Sequence, residues 1–367
     1  MKKTLAALII GAFAASAANA AVVYDNEGTK FEVNGSLRLM LEKSNQGGHW
    51  EKKDANGDVT SEGKKYSHTG LRNAGSRVEF KVKHDLSDGF YALGRAELRF
   101  DGKDENGKSA AKEDGFGSVR AHRAYVGLGK KELGQVTFGR QVTIGDDVGI
   151  AEDYDYGILP DYVPTSGRSV IRYDYYGVEG LQLGASYQFA EDRTNNEVNN
   201  GSLSNGVQAG FLYEDNGLIL EGVYGRDNYK SELNSNARRN VDGLMLSAGY
   251  DFKSFLVSVD TGYQKDKTDG KETKKSFFVS PGFQVPVITD VSKVYGNYLY
   301  KQTKTGNDKT KTHGFLLGVD YKLHKQVITY VEGKYVQSKD YTNGNYDENS
   351  KVKVKDKAIG VGLRVFF

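Results

Sequence analysis

The chain has 367 residues and an almost balanced charge, with 50 Lys and Arg against 48 Asp and Glu, so no strongly basic surface for a nucleic acid is expected. It contains no Cys, which excludes disulfide bonds and a thiolate as nucleophile or metal ligand. Glycine (45) and tyrosine (24) are abundant, proline is rare (4) and hydrophobic residues make up only 38%, a composition that favours many strands and turns.

The N-terminus has the pattern of an export signal. Lys2 and Lys3 precede an apolar run over 5–13, and small residues follow up to Ala20. This order of charged, apolar and small residues predicts a signal peptide over 1–20, cleaved after Ala20. The run is too short for a good membrane helix. The remaining residues, 21–367, are predicted to form one domain.

Strand-like alternation begins soon after the signal. Phe31, Val33, Leu37, Leu39 and Leu41 share one face, and polar residues occupy the positions between most of them. The same pattern returns over 181–189, 207–213 and 315–321. A period of two predicts strands with one apolar and one polar face, whereas amphipathic helices would repeat every 3.6 residues.

The connections between these segments come in two sizes. Seven short breaks lie at 86–89, 132–134, 177–180, 214–217, 251–254, 288–292 and 323–325. Eight long polar breaks lie at 44–74, 101–119, 141–167, 190–205, 226–240, 265–275, 302–312 and 338–356. Short turns on one side and long loops on the other are typical of outer-membrane barrels. The pattern predicts an all-β fold, a sixteen-stranded antiparallel transmembrane β-barrel.

The chain ends in a strongly alternating segment. Ile359, Val361, Leu363, Val365 and Phe367 form one apolar face. A strand edge left open in lipid would lack hydrogen-bond partners. We therefore expect this last strand to close the barrel by pairing with the first strand, which is predicted to begin near residue 22.

Charged side chains fall on the polar face of several predicted strands. Alternation places Arg38 and Arg77 towards the interior. It places the following residues there as well: Glu79, Lys81, Arg95, Glu97, Arg99, Arg123 and Arg172. An Arg or Lys facing mid-depth lipid would cost about 2–4 kcal/mol, so these side chains should face water. Alternation alone does not place Arg140, which sits at a strand end.

Several motifs, in order, resemble the general diffusion porins of Gram-negative outer membranes, most closely the Haemophilus-type major porins of the Pasteurellaceae. The segments that carry the resemblance over the whole chain are 21–30, 75–81, 124–128, 134–140, Leu159-Pro160-Asp161-Tyr162, 168–173 and the C-terminal Phe367. The resemblance implies a homotrimer of barrels in the outer membrane. Each barrel would hold a water-filled channel for ions and small hydrophilic solutes, with the third loop folded into its lumen.

In that family, basic residues on the wall face carboxylates on the third loop. The resembling motifs place these roles on Arg38, Arg77, Arg140 and Arg168 for the wall and on Asp161 for the loop. Where many relatives have a first-strand lysine, this chain has Ser36. Two further candidates complete the predicted constriction. Alternation places Arg172 on the wall. The resemblance implies a second acid on the loop near Gly157, and Asp155 or Asp153 is expected to supply that charge.

The expected partners follow from the membrane location. The strand ending at Phe367 is expected to engage the outer-membrane assembly machinery. Lys351, Lys353, Lys355 and Lys357 lie at alternate positions near the last loop. We interpret this ladder as an exposed hairpin arm that could contact lipopolysaccharide phosphates. No cofactor is expected.

Three other functions are less well matched by the sequence. An enzyme is disfavoured because the six histidines show no HExxH spacing and the chain contains no G-x-S-x-G. A substrate-specific channel would need a row of aromatic or basic residues along the pore, and only the lysine ladder resembles one. An adhesin remains compatible with a pore, because the polar segments 44–74 and 338–356 are long enough to bind other molecules.

Overall fold

The computed structural model describes residues 21–45, 49–53, 58–63, 68–101, 116–193, 201–230, 237–341 and 353–367. The predicted signal peptide, residues 1–20, lies outside this range. No helix within these residues is long and apolar enough to cross a membrane.

The described residues form a single antiparallel sheet that closes on itself. Its strands are β1 (Ala21–Asn26), β2 (Thr29–Ser44), β3 (His49–Lys53), β4 (Val59–Glu62), β5 (His68–Asn73), β6 (Arg77–Asp85), β7 (Phe90–Asp101), β8 (Ser118–Lys130), β9 (Gly134–Val142), β10 (Ser166–Val178), β11 (Leu181–Gln188), β12 (Glu191–Arg193), β13 (Gly201–Asp215), β14 (Leu218–Tyr229), β15 (Arg239–Asp251), β16 (Leu256–Thr268), β17 (Lys274–Ile288), β18 (Ser292–Thr305), β19 (Asp308–His324), β20 (Val327–Tyr341) and β21 (Lys353–Phe366).

These strands make sixteen barrel segments, which confirms the predicted fold. β5 and β6 follow one another along the same neighbour, β2, and together form the second segment. β11 and β12 likewise both pair with β13 and form the seventh. β3 and β4 make an additional hairpin that pairs with the loop-side end of β21.

The barrel closes at a composite seam. β21 pairs with β2 from Ser36↔Phe366 to Ser44↔Ala358. The remaining part of β2 pairs with β1, from Ala21↔Val33 to Asn26↔Thr29. Closure by the terminal strand is as predicted. The first strand is not one continuous element from residue 22, because a turn at 27–28 folds β1 back onto β2.

The connections reproduce the predicted asymmetry with two corrections. All seven predicted short turns fall between consecutive strands. The predicted loop 302–312 is instead a tight turn between Thr305 and Asp308, and the predicted loop 44–74 contains β3, β4 and β5. Both stretches are mostly polar, with Val59 and Leu71 among the few apolar residues of the described strands. Polarity predicted loops there, but above the membrane a strand needs no apolar face.

The two faces of the wall differ in polarity. Large apolar side chains such as Leu37, Leu41 and Val126 are exposed on the outer face. The interior holds an apolar cluster along one side of the wall, together with many buried polar groups. The cluster contains Met40, Val223, Met245, Phe278, Tyr295, Leu299, Leu316 and Tyr330 from the wall, packed against Ile144, Val148, Tyr156, Ile158, Tyr162 and Val163. The latter six belong to residues 143–165, so this third loop lies inside the barrel.

Candidate functional site

The third loop, residues 143–165, is fastened to the wall through carboxylates that accept hydrogen bonds from its backbone. The fully buried Glu332 accepts N–H bonds from Tyr154, Asp155 and Tyr156 at 2.7, 2.8 and 2.6 Å. It also accepts the hydroxyl of Tyr295 at 2.9 Å. Three consecutive amides converging on one carboxylate fix the course of the loop at this point.

Other acids repeat this arrangement along the loop. Asp260 accepts the N–H groups of Ile150 and Ala151 at 2.9 and 3.1 Å. Glu221 accepts the N–H of Gly149 at 2.7 Å. These acids stand on β14, β16 and β20, so the loop is held by segments distant in sequence and spread around the barrel. Buried amides need partners, and here the wall supplies them.

The returning half of the loop packs closely on the wall. Tyr162 stacks edge-on against Phe278, with ring centroids 5.3 Å apart. Gly243 lies directly beneath this residue: a Cβ built there would come within 2.0 Å of the Tyr162 carbonyl oxygen. Glycine at this wall position therefore lets the loop backbone approach the sheet. Thr143 and Gln208 both donate to the Pro164 carbonyl, at 2.6 and 2.8 Å, which fixes the base of the loop.

Opposite the loop, basic residues gather around a single carboxylate. Glu97, only 2% exposed, forms an ion pair with Arg99 and lies 3.7 Å from Arg77 and 3.8 Å from Arg123. Arg95 bridges Glu97 to Glu79. We call Arg38, Arg77, Arg99, Arg123 and Arg364 the arginine wall. Its guanidinium groups greatly outnumber the carboxylates between them.

Arg38 completes this group on β2. Its Nε donates to Ser36 Oγ at 2.8 Å, and its backbone N–H donates to Ser76 Oγ at the same distance. Arg77, Arg99 and Arg364 are close enough for their charges to repel that of Arg38. The Ser36 hydroxyl therefore positions the guanidinium among like charges, and the Ser76 hydroxyl holds the backbone of Arg38. Ser36 thus acts as a hydrogen-bond acceptor for Arg38.

Carboxylates at the start of the third loop face these bases. Asp146 lies 3.8 Å from Arg123. Asp147 pairs with Arg172, whose guanidinium also contacts Asp174 at 2.8 Å. A cavity of about 360 Å³ separates this part of the loop from the wall. Asp146 and Asp147 of the loop and Arg123 and Arg172 of the wall thus line one water-accessible space, in which they form ion pairs.

At the far end of the loop, Asp155 makes the same kind of contact. It pairs with Arg72 of β5, and the Nε of Arg72 lies 2.9 Å from Glu42. The hydroxyl of Tyr156 donates to Glu42 at 2.8 Å. Arg364 donates to the carbonyl of Tyr154. The tip of the loop is therefore joined to both sides of the barrel seam.

Three of the predicted residues, Arg140, Arg168 and Asp161, do not join this cluster. Arg140 is paired with Ala124, and both continue the outer face that includes Phe138 and Val126. Among the described residues it makes no ion pair. The Gly139 position, paired with Tyr125, is the inward-facing one. Strand alternation therefore directs Arg140 away from the lumen, which corrects its predicted place on the pore wall.

Arg168 and Asp161 occupy separate places. Arg168 is exposed near the loop-side end of β10, where its backbone N–H donates to Glu191 at 2.7 Å and its guanidinium to the Asp192 carbonyl. A bulge between Gly167 and Val170 takes it out of line with Arg172. Asp161 is exposed on the third loop and makes no ion pair with any described residue. Of the other predicted residues, Arg172 lines the cavity, Arg38 and Arg77 belong to the arginine wall, and Asp155 pairs with Arg72 at the far end of the loop.

The loop surroundings also alter the ionisation of its acids. Burial, followed by repulsion from Asp147, raises the pKa of Asp146 to about 6. Burial, with Glu332 and Glu152 next in importance, raises the pKa of Asp153 to about 6. Both side chains nevertheless reach solvent. These two loop carboxylates consequently titrate close to neutral pH.

Several residues of the site could not be recognised from the sequence pattern. Arg72 lies in a stretch whose polarity predicted a loop. Asp146 and Asp147 were inside the predicted third loop, but nothing in their spacing distinguished them from its other acids. Glu332 and Asp260 lie on inward faces by alternation, which could have marked them as lumen residues. Their partners on the loop could not be found without the path of the backbone.

Sequence comparisons place the chain in a family. A family model described as "Gram-negative porin" matches residues 4–341. A major outer membrane protein of Pasteurella multocida (strain Pm70) is 35% identical over 386 aligned residues that cover both chains completely. A second major outer membrane protein from Pasteurella multocida is 34% identical, again over the whole of both chains.

Solved structures agree in fold. OmpT, an outer membrane protein of Vibrio cholerae in a trimer form, matches with a TM-score of 0.69 and 18% identity, over 93% of this chain and all of that one. An anion-selective porin from Comamonas acidovorans matches with a TM-score of 0.67 and 18% identity, over 92% of this chain and all of that one. With its closed barrel and in-folded third loop, the chain belongs to the Gram-negative porin family, as a channel protein of the outer membrane and not an enzyme.

Proposed function

We propose that this porin is a general diffusion channel whose narrowest part lies between the arginine wall and the third loop. The observation that carries this proposal is the pairing of opposite charges at the edge of one cavity: Asp146 and Asp147 on the loop form ion pairs with Arg123 and Arg172 on the wall, and all four line that cavity. Ions and small hydrophilic solutes would pass without a binding cycle, and no chemical step is involved.

The proposed selectivity has an electrostatic basis. Opposed rows of positive and negative groups produce a field across the pore, which a small polar solute can follow by aligning its dipole. A bulky apolar solute must displace ordered water from the charged groups and gains no compensating interaction. Charges that line a pore also bias the passage of ions of opposite sign.

The residues assigned to this constriction differ from those predicted by motif. Arg38, Arg77, Arg172 and Asp155 are retained. Arg99, Arg123, Asp146 and Asp147 are added, because Arg99 belongs to the arginine wall and the other three line the cavity beside it. Asp153 is kept as the alternative to Asp155. Asp161 is retained as an exposed carboxylate on the loop, outside the range of the arginine wall. Arg140 and Arg168 are assigned no role in the constriction.

We further propose that the barrel forms a homotrimer. Small side chains on the outer face of β7 and β8, including Gly94, Ala96 and Ala124, would allow two barrels to approach closely. The trimer form of the Vibrio cholerae protein concerns that molecule, and supports the proposal through the shared fold alone. Mild-detergent electrophoresis should show a heat-sensitive species of three barrels. A barrel-sized species only would contradict the trimer.

Conductance across a planar bilayer tests the channel directly. The refolded protein should give stepwise ohmic currents, and a salt gradient should give a reversal potential. The variants Asp146→Asn and Arg123→Gln should displace this potential in opposite directions, because they remove charges of opposite sign from the two sides of the cavity. Glu179→Gln, on an exposed short turn, is the matched control and should leave the potential unchanged.

A folded barrel that carries no current would contradict the channel proposal. Current with a reversal potential that neither Asp146→Asn nor Arg123→Gln alters would contradict the location of the constriction while leaving the channel intact. The two outcomes therefore separate the function from the residues assigned to it.

A further inference from the structure

Two lysines face the lumen on the long-loop side of the third loop. Lys301 lies on β18, where it is paired with Phe278 of β17 and Thr312 of β19, both buried inside the barrel. Lys274 lies on β17, nearer to the long loops than Phe278, and alternation places it on the same face. We call Lys274 and Lys301 the lumen lysine pair. It stands on strands that carry no member of the arginine wall.

The third loop forms the floor beneath this pair. The Nζ of Lys301 lies 6.0 Å from the centroid of the Tyr162 ring, a cation–π contact. Tyr162 in turn packs on Phe278 of the wall. Lys301 is half-buried between loop and wall, whereas Lys274 is exposed in the mouth of the barrel. The pair therefore meets a solute before that solute passes the third loop from outside.

The lumen lysine pair has no counter-charge in the part of the chain that the structure describes. Neither lysine forms an ion pair there, and the charge that acts on Lys301 is that of Lys274, which repels it. Both carboxylate oxygens of Asp266, opposite Lys274, are already bound by Arg239 at 3.0 and 2.7 Å. Asp161 of the third loop is not among the groups that act on Lys301. Positive charge is therefore left available to a solute in the lumen.

Hydroxyl groups surround Lys301 at the same depth. Ser276 and Thr303 are hydrogen-bonded to each other at 2.9 Å, and so are Thr312 and Ser338 at 2.8 Å. Thr312 is directly opposite Lys301, and Thr303 is the next residue on the same face of β18. Within each pair one hydroxyl donates to the other, whose own proton remains free for a solute. An ammonium group beside such donors matches an oxyanion, which can accept from both.

The site is separate from the lysine ladder predicted from the sequence. Asp356 of β21 reaches Lys334 inside the barrel at 2.8 Å. Alternation therefore turns Lys355 and Lys357 to the outer face of the same strand. Lys351 lies outside the described residues. The ladder is thus not part of the lumen site.

We propose that the lumen lysine pair binds small oxyanions, the carboxylate or phosphate groups of hydrophilic solutes, before they reach the arginine wall. The proposal rests on the channel function and adds a second site on the outer side of the narrow passage. A cleft lined by charge of one sign raises the local concentration of the opposite ion. Binding there has to remain weak, because a solute that passes through a pore must also leave each site.

Block of the KCl current by added oxyanions tests the proposal. Inorganic phosphate and succinate are added in turn to the refolded porin in a planar bilayer, and the fall in current gives a half-blocking concentration for each. Lys301→Gln and Lys274→Gln should each raise this concentration about tenfold, as expected when one charge-assisted contact is lost. Lys334→Gln is the matched control, because it removes the same charge inside the same barrel from a lysine already paired with Asp356. It should leave the half-blocking concentration nearly unchanged.

The choice of probes separates the possible causes of block. Block that depends on Lys301 with both anions supports a general oxyanion site, and such block with one anion alone assigns the site to that chemical group. Erythritol, a neutral solute about as long as succinate, should not block. Equal block by erythritol would overturn the proposal, as would half-blocking concentrations that neither Lys301→Gln nor Lys274→Gln changes. A tenfold rise in Arg77→Gln alone would assign the anions to the arginine wall and also overturn it.

Phosphorus NMR of inorganic phosphate with the refolded protein, in a detergent without phosphate, does not require current. Line broadening that Lys301→Gln abolishes and Lys334→Gln retains would support the site even in a barrel that fails to conduct. A barrel that conducts KCl but shows neither block nor broadening overturns the site and leaves the channel intact. Retained heat-dependent gel mobility establishes that each variant is folded.

Discussion

Glu332 shows how a single buried carboxylate can determine the shape of a pore. It accepts three consecutive amides of the third loop and one tyrosine hydroxyl. Its negative charge strengthens each of these hydrogen bonds. The loop has no strand of its own to hold it in the lumen, so the course of the narrow passage depends on such contacts.

Replacement of Glu332 by Gln should therefore loosen the loop. The amide keeps one acceptor oxygen but turns an N–H₂ group towards backbone donors, and a loss of about 3 kcal/mol in stability is expected. Single-channel recordings should show larger current noise and more frequent closures. Glu179→Gln, with the same chemical change on an exposed turn, serves as control. Recordings of Glu332→Gln that cannot be told apart from this control would refute the anchoring role.

The raised pKa values of Asp146 and Asp153 predict a pH-dependent selectivity. Both groups have a pKa of about 6, so they are mainly neutral at pH 5 and mainly charged at pH 7.5. Charge on the loop favours cations, so the reversal potential should move towards cation preference as pH rises between these values. The double variant Asp146→Asn, Asp153→Asn should remove most of this movement. Full retention of the pH response in that variant would assign it to other groups.

The residues that sequence alone could not place have identifiable physical reasons. Arg140 lies near the end of β9, where the sequence alone does not fix the direction of the side chain, and only the pairing with Ala124 of β8 shows which face it shares. Arg72 belongs to a short strand with a single large apolar residue, Leu71, so its sequence shows little alternation. Charged residues inside regular strands, such as Arg77 and Glu97, were placed correctly because lipid on one side fixes the direction of every second side chain.

Among the elements, the barrel strands were far easier to predict than the third loop. In a strand that crosses the membrane, successive side chains face lipid and water in turn, so the sequence shows which residues point outward and which point inward. The path of the third loop depends on hydrogen bonds to acids on β14, β16 and β20. These contacts are distant in sequence, so no local sequence pattern predicts them. The Leu159–Tyr162 motif indicated that the loop folds inward, but it did not indicate which carboxylates would face the arginine wall.

The terminal strand offers a test at the scale of one element. The backbone of Phe367 exchanges hydrogen bonds with Gly35 at 2.9 and 3.1 Å. Its ring occupies the space where a Cβ at position 35 would stand, only 2.2 Å away. Gly35→Ala should displace the ring and lower the free energy of unfolding by about 1–3 kcal/mol, measured by urea titration in detergent.

A matched glycine makes the comparison specific. A Cβ on Gly333 would approach nothing closer than 3.4 Å, so Gly333→Ala should leave the urea midpoint nearly unchanged. If both alanine variants lower the midpoint equally, the cause is the general effect of a side chain in the sheet and not the displaced ring. The proposed contact between the Phe367 strand and the assembly machinery predicts that Gly35→Ala also slows insertion in cells.

At the scale of the whole molecule, stability depends on closure of the sheet. Most barrel segments pair along both edges with complete strands, whereas β2 is completed by two separate pieces, β1 and β21. Deletion of residues 21–26 would leave the first part of β2 with one unpaired edge. A loss of about 2–5 kcal/mol is expected from the missing hydrogen bonds. Urea unfolding of the folded barrel measures it, and an unchanged midpoint would show that β1 contributes nothing to closure.

Because of the composite seam, the chain ends could be moved to another place in the barrel without changing the order of the strands. Ala21 is opposite Val33 and Phe367 is bonded to Gly35, so these two residues are neighbours of positions only two apart on β2, about 7 Å along the strand. In a chain that starts at Ala21, a short peptide could join the two ends. New ends could then be opened in any of the seven short turns. The ring of strands would be circularly permuted while every strand kept its two neighbours.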